Sequence, residues 1–358
     1  MSIRSEQLAV PIAGEHAWRA RRPAVLFAAG FVALLVAVVL GVGLGTVAVA
    51  PGDTLAILGR RILALPLAQT WSVPAETIVM ELRLPRVLEA MVVGLGLAVA
   101  GATFQSLLRN PLADPYVLGT ASGAALGAAI AVVIPVRVLV LEFGLLHALA
   151  FAGALAAVWV VYRLSRTSPL APLTSLLLTG YAIGSLLAAG LAMAMYLSGA
   201  GLRQIFGFLL GGLDGAAWLR LAVAAPLVLG ASLAIMVRAR VLNGFLLGEE
   251  TAAHLGVDVR RERAILLALA SLATAAAVAL SGLIGFVGLV VPHLVRLAVG
   301  PNARLVLPLS ALYGASLLVF ADLVARLLGE IPVGVVTAVV GAPFFLAMLR
   351  RVRTGYEL

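Results

Sequence analysis

The chain has 358 residues, 63% hydrophobic and 11% charged, with a mean hydropathy of +1.12 and a formal charge of +9. A soluble domain is about half apolar and about a quarter charged, so a soluble globular enzyme is excluded, and so is a disordered chain; at ~20 apolar residues per transmembrane helix the composition supplies on the order of ten spans. There is no Cys and no Lys, which removes disulfides, thiolate metal sites and Cys nucleophiles, Schiff-base lysines and the phosphate-loop lysine of an ATP-hydrolysing subunit.

In chain order, residues 1–23 read as a charged cytoplasmic segment. The apolar run Ala24–Ala50 is about twice the core of a signal peptide and reads as an uncleaved first span. Further spans are expected at Val87–Leu108, Tyr116–Val136, Leu145–Tyr162, Leu170–Leu197 and Ala216–Val237, then at Ala264–Leu280, Ile284–Val299, Leu305–Leu328 and Val333–Leu349. Ser281-Gly282-Leu283 is short enough that spans 7 and 8 also fit one continuous or re-entrant helix. The fold class is an all-α polytopic membrane protein of ten helices. Its single transmembrane domain covers residues 24–350, and a cytoplasmic tail covers residues 351–358.

Cytoplasmic loops are enriched in basic residues. With the N-terminus inside, the inner side holds Arg4, Arg19, Arg21, Arg22, Arg109, Arg163, Arg166, Arg238, Arg240, Arg260, Arg261, Arg263, Arg296, Arg304, Arg350, Arg351 and Arg353, which is seventeen of the 25. An odd span count would move the last three outside. Ten spans with both termini cytoplasmic is therefore the expected topology. The +9 charge then belongs to the inner membrane surface, in contact with lipid, and not to nucleic acid. Gly119, Gly123 and Gly127 lie four apart, a spacing that lets a second helix backbone approach closely.

Three connecting segments carry functional interest. The largest inner one, Arg238–Arg263, fits two short helices broken at Gly248; it reads either as a docking knob for a soluble partner or as a solvated interfacial loop. Arg109–Pro115 holds Pro111 and Pro115, which forbid a continuous helix; it is a rigid turn or the inner closure of a pathway. Arg83-Leu84-Pro85-Arg86, with Arg326 on the same outer side, suits bidentate carboxylate pairing or anchorage in lipid headgroups. Glu89 lies about one turn inside span 2, where an acid is costly; pairing with Arg86 or Arg83 at helical spacing is expected, with a pathway contact as the alternative. Asp322 is expected to pair with Arg326 one turn on. No nucleophile–base or metal-ligand constellation is visible, so neither a catalytic residue nor a metal site is expected.

These segments together resemble a known family. Arg83–Arg86, Gly101–Gln105, Arg109–Pro115 and Gly119–Gly123, followed by Leu247–Glu250, Ala253–Gly256, Gly282–Arg296, Ala321–Arg326, Pro332–Thr337 and Gly341–Pro343, are similar in order to the permeases of ABC importers for iron–siderophores, haem and vitamin B12. The resemblance implies a type II importer subunit in a prokaryotic inner (plasma) membrane, paired with a second permease copy, a homodimer being favoured. It implies two ATP-binding cassette subunits that hold ATP and Mg, and a periplasmic or lipid-anchored substrate-binding protein. Arg83, Arg86 and Arg326 would receive that protein's carboxylates. Coupling helices at about 242–257 would meet the ATPase through Leu242, Asn243, Leu247, Gly248, Glu249, Glu250, Ala253, Leu255 and Gly256. Asn110, Pro111 and Leu112, with Thr174 and Ser175, would narrow the inner exit. A short outer helix would fall near Leu202–Leu210. Iron–siderophore is the favoured cargo, with haem and vitamin B12 as alternatives. An ion-coupled secondary transporter is the competing class; it would need Glu89 or Asp322 to titrate within the membrane.

Overall fold

The computed structural model describes residues 12–134, 139–140, 143–166 and 172–354. Expectations placed on Arg4, Leu170 and residues 355–358 lie outside these residues, as do those on the side chains of Arg19, Arg21, Arg350, Arg351 and Arg353. The two ends of the helices are called outer and inner after the arginine distribution.

Helix α1 (Ile12–Gly43) leads to a short outer helix, α2 (Pro51–Arg61). Next comes α3 (Val73–Thr77), which Ser72 caps by accepting the Ala75 N–H. A π-helical segment (Ile78–Arg83) joins α3 to α4 (Leu84–Leu107). Span 2 is thus one 35-residue helix, Val73–Leu107, and starts well before the expected Val87. Its wide turn sits where Pro85 has no N–H to donate to the preceding carbonyls. The Trp218 indole fills that gap, donating to the Met80 carbonyl at 2.9 Å.

Helix α5 (Thr120–Val133) precedes a minimal antiparallel pair, β1 (Leu139–Val140) and β2 (Phe143–Gly144). Then follow α6 (Leu145–Ser165), α7 (Pro172–Leu197), α8 (Leu202–Leu210) and α9 (Trp218–Val237). The inner helix pair is α10 (Ala239–Leu247) and α11 (Glu249–His254), broken at Gly248 with φ 111°. The chain closes with α12 (Val259–Ser281), α13 (Val287–Val299), α14 (Ala303–Leu327) and α15 (Val333–Thr354). Among the described residues, seven helices are long and apolar enough to cross a membrane, and three shorter apolar ones, Thr120–Val133, Val287–Val299 and Val333–Ala347, supply the remainder of the ten expected. Spans 7 and 8 are separate helices, because Gly282 and Phe286 take φ of 65° and 68° between them.

The core runs along α4, which α12, α13 and α14 surround. Backbones touch there because side chains are missing. A Cβ on Gly94 would collide with the Gly314 carbonyl on α14, and one on Gly101 with the Gly288 carbonyl on α13. The Gly123 and Gly127 spacing does the same work between α5 and α6, against Gly153 and Leu149. In lipid, apolar side chains gain little by leaving the solvent, so close backbone approach supplies the packing energy.

At the outer half, non-helical backbone is buried where three elements meet. Leu283 N–H donates to Phe208 at 3.1 Å, Gly212 N–H to Ser281 at 2.8 Å and Gly334 N–H to Gly211 at 3.2 Å. Irregular backbone at membrane depth is tolerated only when protein satisfies it in this way.

Gly101→Ala is expected to destabilise the purified protein by about 1–3 kcal/mol through overpacking. Gly230→Ala, where nothing lies within 4 Å of the added carbon, should be neutral or slightly stabilising. Thermal unfolding in detergent measures both, and equal melting of the two variants would refute the contact.

Candidate functional site

The outer site is built on a helix end. The last carbonyls of α1 have no partner within their own helix. Arg83 takes Val42 and Gly43 at 3.1 and 2.9 Å and also Val47. Arg326 takes Gly41 and Leu44 at 2.8 and 3.1 Å. Two guanidiniums therefore close the C-terminus of α1, where the helix dipole favours positive charge. Arg86 turns the other way. It pairs with Asp322 at 2.8 Å, with Glu330 at 2.9 Å and with Asp214 at 3.2 Å. Asp322 also holds Arg326 at 3.0 Å, the expected intrahelical pair.

The structure thus brings Arg83, Arg86 and Arg326 together, at the wall of one outer cavity of about 440 Å³ with Gly45, Leu213, Asp214 and Glu330. It corrects the expectation that they are exposed. They are 5, 9 and 3% accessible, because internal carbonyls and carboxylates already occupy them. The open ends of the cluster are Asp214 and Glu330, whose side chains are 68 and 43% exposed, while that of Asp322 is fully covered. Sequence reading missed both exposed acids: Asp214 has no arginine within five residues, and Glu330, although four residues after Arg326, pairs with Arg86, 244 residues away. Glu330 sits at a positive φ of 60° after Gly329, a turn signal that marks where the chain reverses.

Glu89 does not join Arg83 or Arg86, which corrects the expected pair. It is 1% accessible, and its Oε1 accepts the Ala217 N–H at 3.3 Å, at the start of α9. A helix N-terminus offers unpaired N–H groups and positive potential. With both nearby arginines occupied elsewhere, that is where the carboxylate goes.

The inner site is the α10–α11 pair. Leu242 and Phe245 are buried in the core, while Leu247 and Leu255 are each 66% exposed. Glu250, Thr251, Ala253, His254 and Gly256 share the exposed surface. Glu249 pairs with Arg263, and Arg238 with Glu262 at 3.3 Å, fixing the pair to α12. One expected contact residue is corrected: Leu242 has no accessible surface. Asn243 is half-buried, and its side chain donates to Asn302 Oδ1 at 2.9 Å and accepts the Ala303 N–H at 2.7 Å.

The Arg109–Pro115 segment lies beside this pair, since Arg109 reaches within 3.8 Å of a Cβ position on Gly248. Asn110 and Pro111 are exposed and Leu112 half-buried; the Asn110 side chain accepts the Leu112 N–H at 2.9 Å. Asp114 likewise accepts from Tyr116 N–H at 2.8 Å, and the Tyr116 hydroxyl donates to Ile284 at 2.9 Å. Burial pushes the Asp114 carboxyl up to about 6. Thr174 is exposed, but Ser175 is buried and donates to the Ser165 carbonyl at 3.0 Å, tying the start of α7 to the end of α6. Among the described residues no hydrogen bond joins Asn110–Leu112 to Thr174–Ser175.

Arg296, counted from sequence as an inner surface charge, is inserted between helices. It donates to the Ala102 carbonyl at 2.9 Å, to Ser106 at 3.0 Å and to Gln105 at 2.5 Å. Gln105 in turn donates to the Leu289 carbonyl near the start of α13 at 3.0 Å, so two side chains cross-link α4 and α13.

Residues 33–351 match the FecCD transport family. The chain is 46% identical to the vitamin B12 import system permease protein BtuC of Vibrio cholerae, over 78% of this chain and 85% of that one. It is 44% identical to the hemin transport system permease protein HmuU of Yersinia pestis, over 76% and 83%. Among solved structures, a transporter described as of the metal-chelate ABC type, in an inward-facing conformation, superposes with a TM-score of 0.79 at 29% identity, covering 92% of this chain and 99% of that one.

Asp322→Asn is expected to destabilise the protein by about 3–5 kcal/mol, because two buried arginines lose their carboxylate. Glu330→Gln, at an exposed pair, should change stability by no more than about 1 kcal/mol. Thermal melts compare them. For Asp114 the folded carboxyl titrates above its ordinary 3.8, so its contribution is present at low pH and lost as pH rises through about 6. Wild type should lose stability across that window relative to Asp114→Asn, which keeps the acceptor and cannot ionise; parallel pH profiles would refute this.

Proposed function

The chain belongs to the FecCD transport family, and from that membership we propose that it is the membrane subunit of an ATP-driven importer, forming with a second permease copy the pathway for a metal chelate. The single observation that carries the coupling part of this reading is the α10–α11 surface. A helix pair fixed to the bundle through Leu242, Phe245 and two ion pairs presents Leu247 and Leu255 to the inner solvent. Exposed apolar side chains on a supported helix mark an interaction surface and suit a hydrophobic groove on a partner. With no Lys in the chain, ATP and Mg belong to that partner, two ATP-binding cassette subunits. Both termini lie on their side of the membrane.

The outer cavity is the docking point for a substrate-binding protein. Arg83 and Arg326 are structural there, and Arg86 is the member able to exchange partners, since Asp214 and Glu330 are solvent-exposed. Of the three chelates, the relatives named for vitamin B12 and hemin favour a tetrapyrrole cargo over the iron–siderophore expected from sequence. Mass spectrometry of ligand carried by the co-encoded binding protein decides among them.

The ion-coupled alternative needs a membrane acid free to titrate. Asp322 is locked between two arginines, which supports the ATP-driven reading.

Leu247→Asp is expected to weaken association with the ATP-binding subunits by about 2 kcal/mol or more, on the order of thirtyfold, while leaving the melting temperature of the isolated subunit unchanged. Co-purification measures it. Substrate uptake into liposomes by this chain alone, driven by a proton gradient, would overturn the reading.

A further inference from the structure

Asn243 lies on the helix pair that faces the inner solvent, yet its side chain points at α14. Its Oδ1 accepts the Ala303 N–H at 2.7 Å and its Nδ2 donates to Asn302 Oδ1 at 2.9 Å. Backbone donors fix both amides. The Ala303 N–H requires an oxygen from Asn243, and the Arg304 N–H requires an oxygen from Asn302, which it meets at 3.1 Å. Only the arrangement seen satisfies both. Asn302 is the N-cap of α14, so the first free amides of this helix are shared between its own cap and a residue of α10.

The clamp has apolar backing. Leu242, beside Asn243, belongs to the same buried cluster as Ala303, Val306 and Leu307 of α14. At its other end, α14 carries Asp322 and Arg326, which hold Arg86 on α4 and the end of α1. A helix rises 1.5 Å per residue, so Asn302 and Asp322 are about 30 Å apart along one axis. Beyond the pair itself, α10 packs mainly on α4 and α14 and only lightly on α9, while α11 touches α12.

We propose that Asn243 is a positioning residue that makes α14 a strut, carrying displacement of the α10–α11 pair to the outer arginine cluster. This rests on the reading that α10–α11 docks an ATPase. The clamp does more than satisfy two donors, since water at the inner surface would do that equally well. Two short directional bonds to the first turn of α14 oblige it to follow α10.

The absence of Cys allows reporters to be placed cleanly. Spin labels at Leu328→Cys, just past α14, and Tyr196→Cys, at the outer end of α7, occupy sites 64 and 85% exposed. The complex with its ATP-binding subunits, in lipid nanodiscs, is measured by electron spin resonance with and without ATP and Mg. ATP is expected to shift the 196–328 distance, and Asn243→Ala to abolish the shift while the ATP-binding subunits stay bound and hydrolyse ATP. Asn302→Asp keeps the cap and the acceptor oxygen and should retain the shift. An undiminished shift in Asn243→Ala overturns the proposal, as does the lack of any shift with Asn243 intact. Loss of the ATP-binding subunits from Asn243→Ala alone would also overturn it, making Asn243 a contact residue. If those subunits fail to bind the chain with Asn243 intact, it is the docking reading that falls.

Discussion

One carboxylate organises the outer half of the molecule. Asp322 has no exposure and lies between Arg86 on α4 and Arg326 on α14. Neither guanidinium is tolerable alone at that depth, and neither is the carboxylate. Because Asp322 neutralises Arg326, that arginine is able to reach across to the carbonyls of α1, where Arg83 joins it. Three long helices are thereby held in register at one level. The close glycine contacts between α4 and α14, at Gly94 and Gly314, depend on the same alignment, since a shift of one residue along either axis would set Cβ atoms against backbone.

A division within the arginine cluster follows. Two of the three arginines close a helix and are committed to the fold, and the third divides its charge among three carboxylates of graded exposure. The site's charge is already balanced by its own carboxylates, so any anion that bound Arg86 would have to displace Asp214 or Glu330 rather than fill an empty cationic pocket.

Much of this fold was legible in the sequence, because hydropathy over twenty residues is a strong signal and the bilayer enforces it. The break at Gly248 and the small-residue face at Gly123 and Gly127 were legible for local reasons, whereas the short helix at Leu202–Leu210 was expected only from the family resemblance. What local reasoning could not see were partners far away in the chain. Glu89 looked like a mate for Arg86 by spacing, but Asp322, 236 residues distant from Arg86, took that role, and Glu89 found a free amide on α9. Arg296 looked like a surface charge and became a half-buried cross-link, because Gln105 and Ser106 on α4 supplied polar partners among apolar neighbours. Asn302 did carry a sequence signal, an Asn directly before an apolar helix, but nothing near it pointed to Asn243.

The short helix α13 bears on how the protein is made. Thirteen residues span about 20 Å, well short of a ~30 Å hydrocarbon core, and the non-helical stretch before it is acceptable in the membrane only with Phe208 and Tyr116 already in place to bond it. A segment of this kind is a poor substrate for insertion on its own as it leaves the ribosome. It has to enter the bilayer late, alongside α12 and α14, after α8 and the α4–α5 connection have assembled a protein surface to receive it. The order of synthesis, in which those receiving elements all precede α13, matches the order that this dependence demands.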